Sequence, residues 1–500
     1  MKTALQSDIP GDRRRFIVSA LLFAASFCLY FFTRSISLDE WDSVQFALGV
    51  EEFNLWKHQP HPSGYPLYIF SGRLLATILR VQPGTALLLT SCLGGALLAA
   101  VWFSLLARQF GQKIALACGA SLLFLPSNWM TATKVLTDMP ATACLALQLL
   151  FAFRYEREKR LRFLGFSIFA GALCAGFRPQ MTFLVFLILI LLLVWSKATN
   201  RTRLLGIVLL IVFCALWLVP TMISQAQLPE SGGDWAAYPK QLWKQWRWRL
   251  DRPNEYLGAG DFSPRYLYNR IRKHWYGWFR YGFGFDARSP LGLAGYGLYL
   301  AGIFLYFRRG LFRRAEHAGF WKRHLPWALF LIATVFFASP DHQRYYTAIF
   351  PLLLFPALSG LASLRGPWPW SALFLPGVLA AISLPVAIEA HGQEAPPIRM
   401  IRHLQREHLP AERPRVLLFL RGSFRHGQWY APEFRLERVG RARYRIGSPL
   451  AIYTDNPNGL RKALKQASFE KIATFERSRL IWSKHRKVTL YRVRLKEAGG

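Results

Sequence analysis

The chain has 500 residues, is 52% hydrophobic and 15% aromatic, and carries a formal net charge of +35. Long uncharged runs exclude the set of soluble domains of about 150 residues each that length alone suggests, and make the chain a polytopic membrane protein. The charge would point to nucleic acid in a soluble chain. Here inner loops collect Lys and Arg during insertion and membrane lipids supply anionic head groups, so nucleic acid is set aside as a partner.

Arg13, Arg14 and Arg15 precede an apolar run over 16–33 that is long enough to span and lacks a small-residue cleavage site, so it reads as a retained first helix. With those arginines inside, the next loop lies outside. That loop, SLDEWDSVQFALGVEEFNLWKHQPHPSGYPLY over 37–68, gathers Asp39, Glu40, Asp42, Glu51 and Glu52 in an otherwise basic protein. His58 and His61 are three apart, but a proline-rich loop has no helical face to align them for zinc. His61-Pro62-Ser63-Gly64-Tyr65-Pro66 reads as a rigid turn that holds the acidic loop in shape.

The segment 66–81 is short and contains Arg73, which predicts a helix on the outer membrane surface rather than a span. Spans follow at 84–107, 112–130, 138–153, 162–177, 180–195 and 203–224. This count puts Arg108, Lys113, the RYEREKRLR run and the Lys197, Arg201, Arg203 cluster inside. A long outer loop over 225–289 mixes Trp235, Trp243, Trp246, Trp248, Trp275 and Trp278 with Arg and Lys, as a lipid interface requires. Four more spans, near 290–307, 325–339, 345–364 and 370–388, bring the total to about eleven. All six cysteines fall in apolar runs, so no disulfide framework is implied.

From Glu389 the chain turns polar. A transmembrane domain over 1–390 is therefore followed by a soluble α/β domain over 391–500 facing the outside. VLLFLR (416–421) and VTLYRVRL (488–495) read as strands, and Asn456 with Pro457 as the start of a helix through Ala467.

Almost no ionisable residue falls inside a predicted span, which argues against an ion pathway. Polar residues collect at outer helix ends instead: the acidic loop, Thr137-Asp138, Arg178 in GFRPQ, and Asp341-His342-Gln343-Arg344-Tyr345-Tyr346. Carboxylates and arginines on one membrane face suit a reaction on a lipid phosphate. A carboxylate takes a proton from an acceptor hydroxyl, and a guanidinium stabilises charge developing on the leaving phosphate.

The order of an acidic first outer loop, a helix opening with PLY, a T-D-M sequence and a late R-Y-Y resembles the GT-C membrane glycosyltransferases. Within them it is similar to protein O-mannosyltransferases and the aminoarabinose transferase that modifies lipid A. D-S-x-x-F-A-L-G followed by H-P-S-G-Y-P-L-Y also resembles a GT-C-like group with an H-P-x-G-Y-P-L signature.

The resemblance implies transfer of one sugar, with inversion, from a polyprenyl-phosphate carrier to a protein, lipid or glycan acceptor at the outer face of a bacterial-type inner membrane. Alignment on D-E selects Asp39 as the base, slightly ahead of Asp42, which alignment on D-S-x-x-F selects. Glu40 then orients the acceptor. Asp138 matches the second outer acid, which shapes the acceptor site or positions a divalent metal in relatives that use one; no closed ligand set is visible here. Arg344 with Tyr345 matches the carrier-phosphate site. Arg178 stands where relatives carry a basic residue, although GFRPQ departs from their Lys-Gly-Pro pattern. Two other classes stay open, a lipid-linked sugar flippase and a non-catalytic glycan-assembly partner.

Overall fold

The computed structural model of the chain describes residues 9–250, 263–338, 343–364, 370–440, 449–464, 466–477 and 486–495. The N-terminal part is helical throughout, with α1 (Ile9–Phe32), α2 (Trp41–Glu51), α3 (Pro66–Leu79), α4 (Pro83–Phe110), α5 (Gln112–Phe124), α6 (Pro126–Ala132), α7 (Asp138–Glu158) and α8 (Leu161–Phe177). It continues through α9 (Thr182–Trp195), α10 (Asn200–Ala226), α11 (Ala237–Leu250), α12 (Pro264–Tyr276), α13 (Pro290–Arg308), α14 (Ala315–Ala338), α15 (Phe350–Ala362) and α16 (Phe374–Gly392).

Each predicted apolar segment is helical, but the count of about eleven spans is not established. Among the described residues five helices are long and apolar enough to cross a membrane, or six if the bent pair α5 and α6 is one span. That pair breaks where Pro126 starts a new helix at 58° to the first, since proline offers no N–H to continue the ladder. Arg73 of α3 donates through Nε to Val50 O at 2.9 Å, so it meets the carbonyl end of α2 rather than lipid. The 225–289 segment contains α11, α12 and a π-helical turn over Gly277–Gly282. Residues 251–262 and the side chains of Trp246 and Trp248 lie outside the described set.

One large apolar core runs through α4, α7, α8 and α15. Gly94 makes a close crossing possible: a Cβ there would stand 2.6 Å from Pro140 Cα and 2.7 Å from Met139 C. This brings the first turn of α7, and with it Asp138, against α4.

After α17 (Pro396–Glu407) come β1 (Val416–Leu420), α18 (Phe424–Tyr430), β2 (Arg435–Arg438), β3 (Ala451–Thr454), α19 (Pro457–Arg461), β4 (Ala467–Glu476) and β5 (Lys487–Leu495). They form one sheet in the order β2-β1-β3-β5-β4, parallel across β2-β1-β3 and antiparallel across β3-β5-β4. Both predicted strands are present, β1 and β5. Asn456 caps α19 by accepting from Gly459 N at 3.0 Å, with Pro457 in the first turn. The helix stops at Arg461, short of Ala467, because β4 begins there and pairs with β5 over its length.

This C-terminal unit docks on the acidic loop. Leu38 N donates to Tyr430 Oη at 2.8 Å, Arg425 Nη2 to Lys57 O at 3.0 Å, and Arg477 Nη1 to Asp39 Oδ2 at 2.5 Å.

Candidate active site

Helix ends position the charged groups. Asp42 lies in the first turn of α2 and Asp138 is the first residue of α7, where the positive end of each helix dipole favours a carboxylate. Arg178 is the C-cap of α8, where the opposite end favours a cation. Arg344 and Tyr345 sit in a 3-10 turn over Gln343–Tyr346. The span expected from 345 starts later, at Phe350, with Pro351 in its first turn. Asp341 and His342 lie outside the described residues.

These groups form two ion pairs whose arginines flank one aromatic ring. Arg344 Nη2 donates to Asp42 Oδ2 at 2.6 Å. The Arg344 guanidinium lies 5.4 Å, and that of Arg178 4.7 Å, from the Tyr345 ring centroid. Arg178 in turn pairs with Asp138. Thr142 and Thr347, 2.9 Å apart through their hydroxyls, tie α7 to the turn that carries Arg344.

The other two candidate acids of the first loop, Asp39 and Glu40, have partners of their own. Asp39 is 1% exposed; its carboxylate accepts from Ser35 Oγ at 2.6 Å and Ser37 Oγ at 2.9 Å as well as from Arg477, so it fastens the C-terminal unit to the loop. Glu40 pairs with Lys134 at 2.8 Å, both buried. Asp42, with its side chain 26% exposed, is the most exposed of the three.

The His61–Pro66 turn belongs to this site and does more than hold the loop. Tyr65, at a φ of 49°, places its hydroxyl 2.6 Å from His61 Nε2, and Gln180 Nε2 donates to that hydroxyl at 2.8 Å and to Ser63 Oγ at 2.6 Å. Burial pushes the Tyr65 phenol up to about 12; the nearby Asp42 and Tyr345 act in the same direction and Arg178 opposes them. Tyr65 is thus a neutral hydroxyl at physiological pH. Gln180 and Tyr65 were hidden in the sequence as parts of GFRPQ and a turn. Arg477 gave no signal there, because its partner is distant in the chain.

Among the described residues no group of three or more His, Cys, Asp or Glu could hold a metal ion. Asp138, the acid that would position one, is paired with Arg178. Among the described residues the donor set does not fit a metal site.

Residues 60–223 match the family model of dolichyl-phosphate-mannose-protein mannosyltransferases. No curated protein matches the sequence significantly. Two crystal structures of ArnT from Cupriavidus metallidurans are similar in fold. The one bound to undecaprenyl phosphate has a TM-score of 0.57 at 12% identity, covering 94% of this chain and 97% of that one. The apo form has a TM-score of 0.53 with the same identity and coverage. An Archaeoglobus fulgidus oligosaccharyltransferase, in complex with zinc and sulfate, has a TM-score of 0.50 at 13% identity, covering 83% of this chain and 62% of that one. The apolar helices and this likeness make the chain an integral membrane protein, and its fold is that of the GT-C glycosyltransferases, the group its ordered motifs resemble.

Proposed function

We propose that the chain is an inverting glycosyltransferase that moves one sugar from a polyprenyl-phosphate carrier to an acceptor at the outer membrane face, with Asp42 as the base. The observation that carries this reading is the Asp42–Arg344 pair, stacked on Tyr345 beside Arg178. Asp42 accepts the proton of the acceptor hydroxyl as its oxygen attacks the anomeric carbon. The bond from that carbon to the carrier phosphate breaks, and the electron pair leaves with the phosphate, whose growing charge is met by Arg344 and Arg178.

The same pair orders the events. Arg344 holds the Asp42 carboxylate until a carrier phosphate claims the guanidinium, so the base is released at the moment a donor is present. Asp138 keeps Arg178 aimed at the phosphate, and Tyr65, as a neutral hydroxyl held by Gln180 and His61, offers a hydrogen bond to sugar or phosphate. Asp39 and Glu40 shape the loop rather than react.

The test is transfer by purified protein in nanodiscs, supplied with lipid-linked sugars from host membranes. Asp42→Asn is expected to bind carrier and fail to transfer. A variant that transfers at the wild-type rate refutes the reading. Carrier translocation with the sugar-phosphate bond intact would instead favour a flippase.

A further inference from the structure

Trp41, the residue before Asp42, is approached by two guanidinium groups of the C-terminal unit. Arg425 lies 6.0 Å and Arg438 5.6 Å from the centroid of a Trp41 ring. Arg425 is only 7% exposed. It donates to Gln428 Oε1 at 2.7 Å and to Lys57 O at 3.0 Å, both uncharged, and its Nε is buried with no hydrogen-bond partner. Burial and then the charge of Arg438 bring this guanidinium down to about 10. The charges here are felt at His58: burial first, then Arg425, Arg438 and Lys244, hold its imidazole below its usual value.

Among the described residues none of these four side chains forms an ion pair. Glu437 does not answer Arg438, since strand alternation turns neighbours in β2 to opposite faces. A buried cation without a counter-charge is costly, and the cost rises with each like charge brought near. Two guanidinium groups on one aromatic face, one of them buried with an unused N–H, have the chemistry of an anion receptor, and Lys244 adds its charge at the neighbouring His58.

We propose that Arg425, Arg438 and Lys244, with His58 beside them, form a second anion subsite, which takes a phosphate group on the acceptor and seats it over Trp41 next to Asp42. The proposal rests on the reading of Asp42 as the acceptor-side base. It concerns a separate phosphate from that of the carrier, which meets Arg344 and Arg178. It makes the C-terminal unit a specificity element that favours phosphorylated acceptors over neutral ones.

The test uses the full chain in neutral phosphatidylcholine nanodiscs, titrated calorimetrically with glucosamine 6-phosphate and, in parallel, with glucosamine. The phosphorylated sugar is expected to bind about tenfold or more tightly than the neutral one. Arg438→Ala and Lys244→Ala should each weaken it by roughly tenfold. Arg425→Lys, which keeps the charge and the fold, should weaken it less. Arg344→Ala and Asp42→Asn should leave this binding unchanged while transfer is lost, which separates failure of the subsite from failure of the catalytic reading.

Equal binding of the two sugars, or wild-type affinity in the Arg438→Ala, Lys244→Ala double variant, overturns the proposal. So does loss confined to Arg344→Ala, which puts the probe in the carrier site. Displacement of the probe by phosphatidylglycerol in the nanodisc, abolished by Arg438→Ala, would assign the cluster to the membrane instead.

Discussion

Asp39 and Asp42 compete for the role of base in the sequence, and isosteric substitution to Asn separates them by stability against rate. Asp42→Asn keeps the shape and removes the charge facing Arg344 at 2.6 Å, where the two side chains are part-buried. Leaving one partner of such a pair unsatisfied costs about 1–3 kcal/mol, which a folded membrane protein tolerates. Loss of a general base lowers turnover by about 10²–10⁴.

Asp39→Asn has the opposite profile. Its pair with Arg477 is almost fully enclosed, at 1% exposure of each side chain, and breaking a buried pair costs about 3–5 kcal/mol. The C-terminal unit should loosen from the loop, which limited proteolysis detects, while the rate per folded molecule largely survives. Both variants are compared in nanodiscs by initial transfer rate normalised to the monodisperse fraction on size exclusion. A wild-type rate in Asp42→Asn, or a rate lost per folded molecule in Asp39→Asn alone, refutes the assignment.

On the proposed reading, Arg344→Ala should weaken binding of a polyprenyl phosphate by roughly 10–100-fold, and Arg344→Lys should recover only part of it, because an ammonium cannot reproduce the planar fork; calorimetry in nanodiscs reads both. Arg477→Ala should destabilise the protein by about 3–5 kcal/mol and release the C-terminal unit to protease, with Asp39→Asn adding little on top, as expected for partners in one pair. Gly94→Val should cost about 1–3 kcal/mol by forcing α4 from α7 and should lower transfer through displacement of Asp138, seen as a reduced rate in the surviving folded fraction. The Tyr65 phenol, raised from 10.0 to about 12, contributes stability that is present below pH 10 and lost as pH rises towards 12. Tyr65→Phe should therefore show a shallower alkaline loss of thermal stability over that window.

Much of the frame was legible in one dimension. Uncharged runs must form helices in hydrocarbon, so the apolar segments were found, and strand alternation and an Asn-Pro cap located β1, β5 and α19. Local sequence could not count the spans. α9 and α15 are short, and α5 and α6 bend at Pro126, so length alone does not say which segments cross.

The residue types of the site, Asp42, Asp138, Arg178, Arg344 and Tyr345, were also visible, because acids and arginines at helix ends stand out against apolar runs. Their pairing was not visible. Asp39 and Asp42 are both acids three residues apart, and nothing local distinguishes them. Only tertiary structure sends one to Arg477, 438 residues away in the chain, and the other to Arg344, 302 away. Charge is a property of the residue and can be read from its letter, whereas burial and partner belong to the packing of distant segments. That packing buries Asp39 against Arg477 of the C-terminal unit and leaves Asp42 partly exposed beside Arg344.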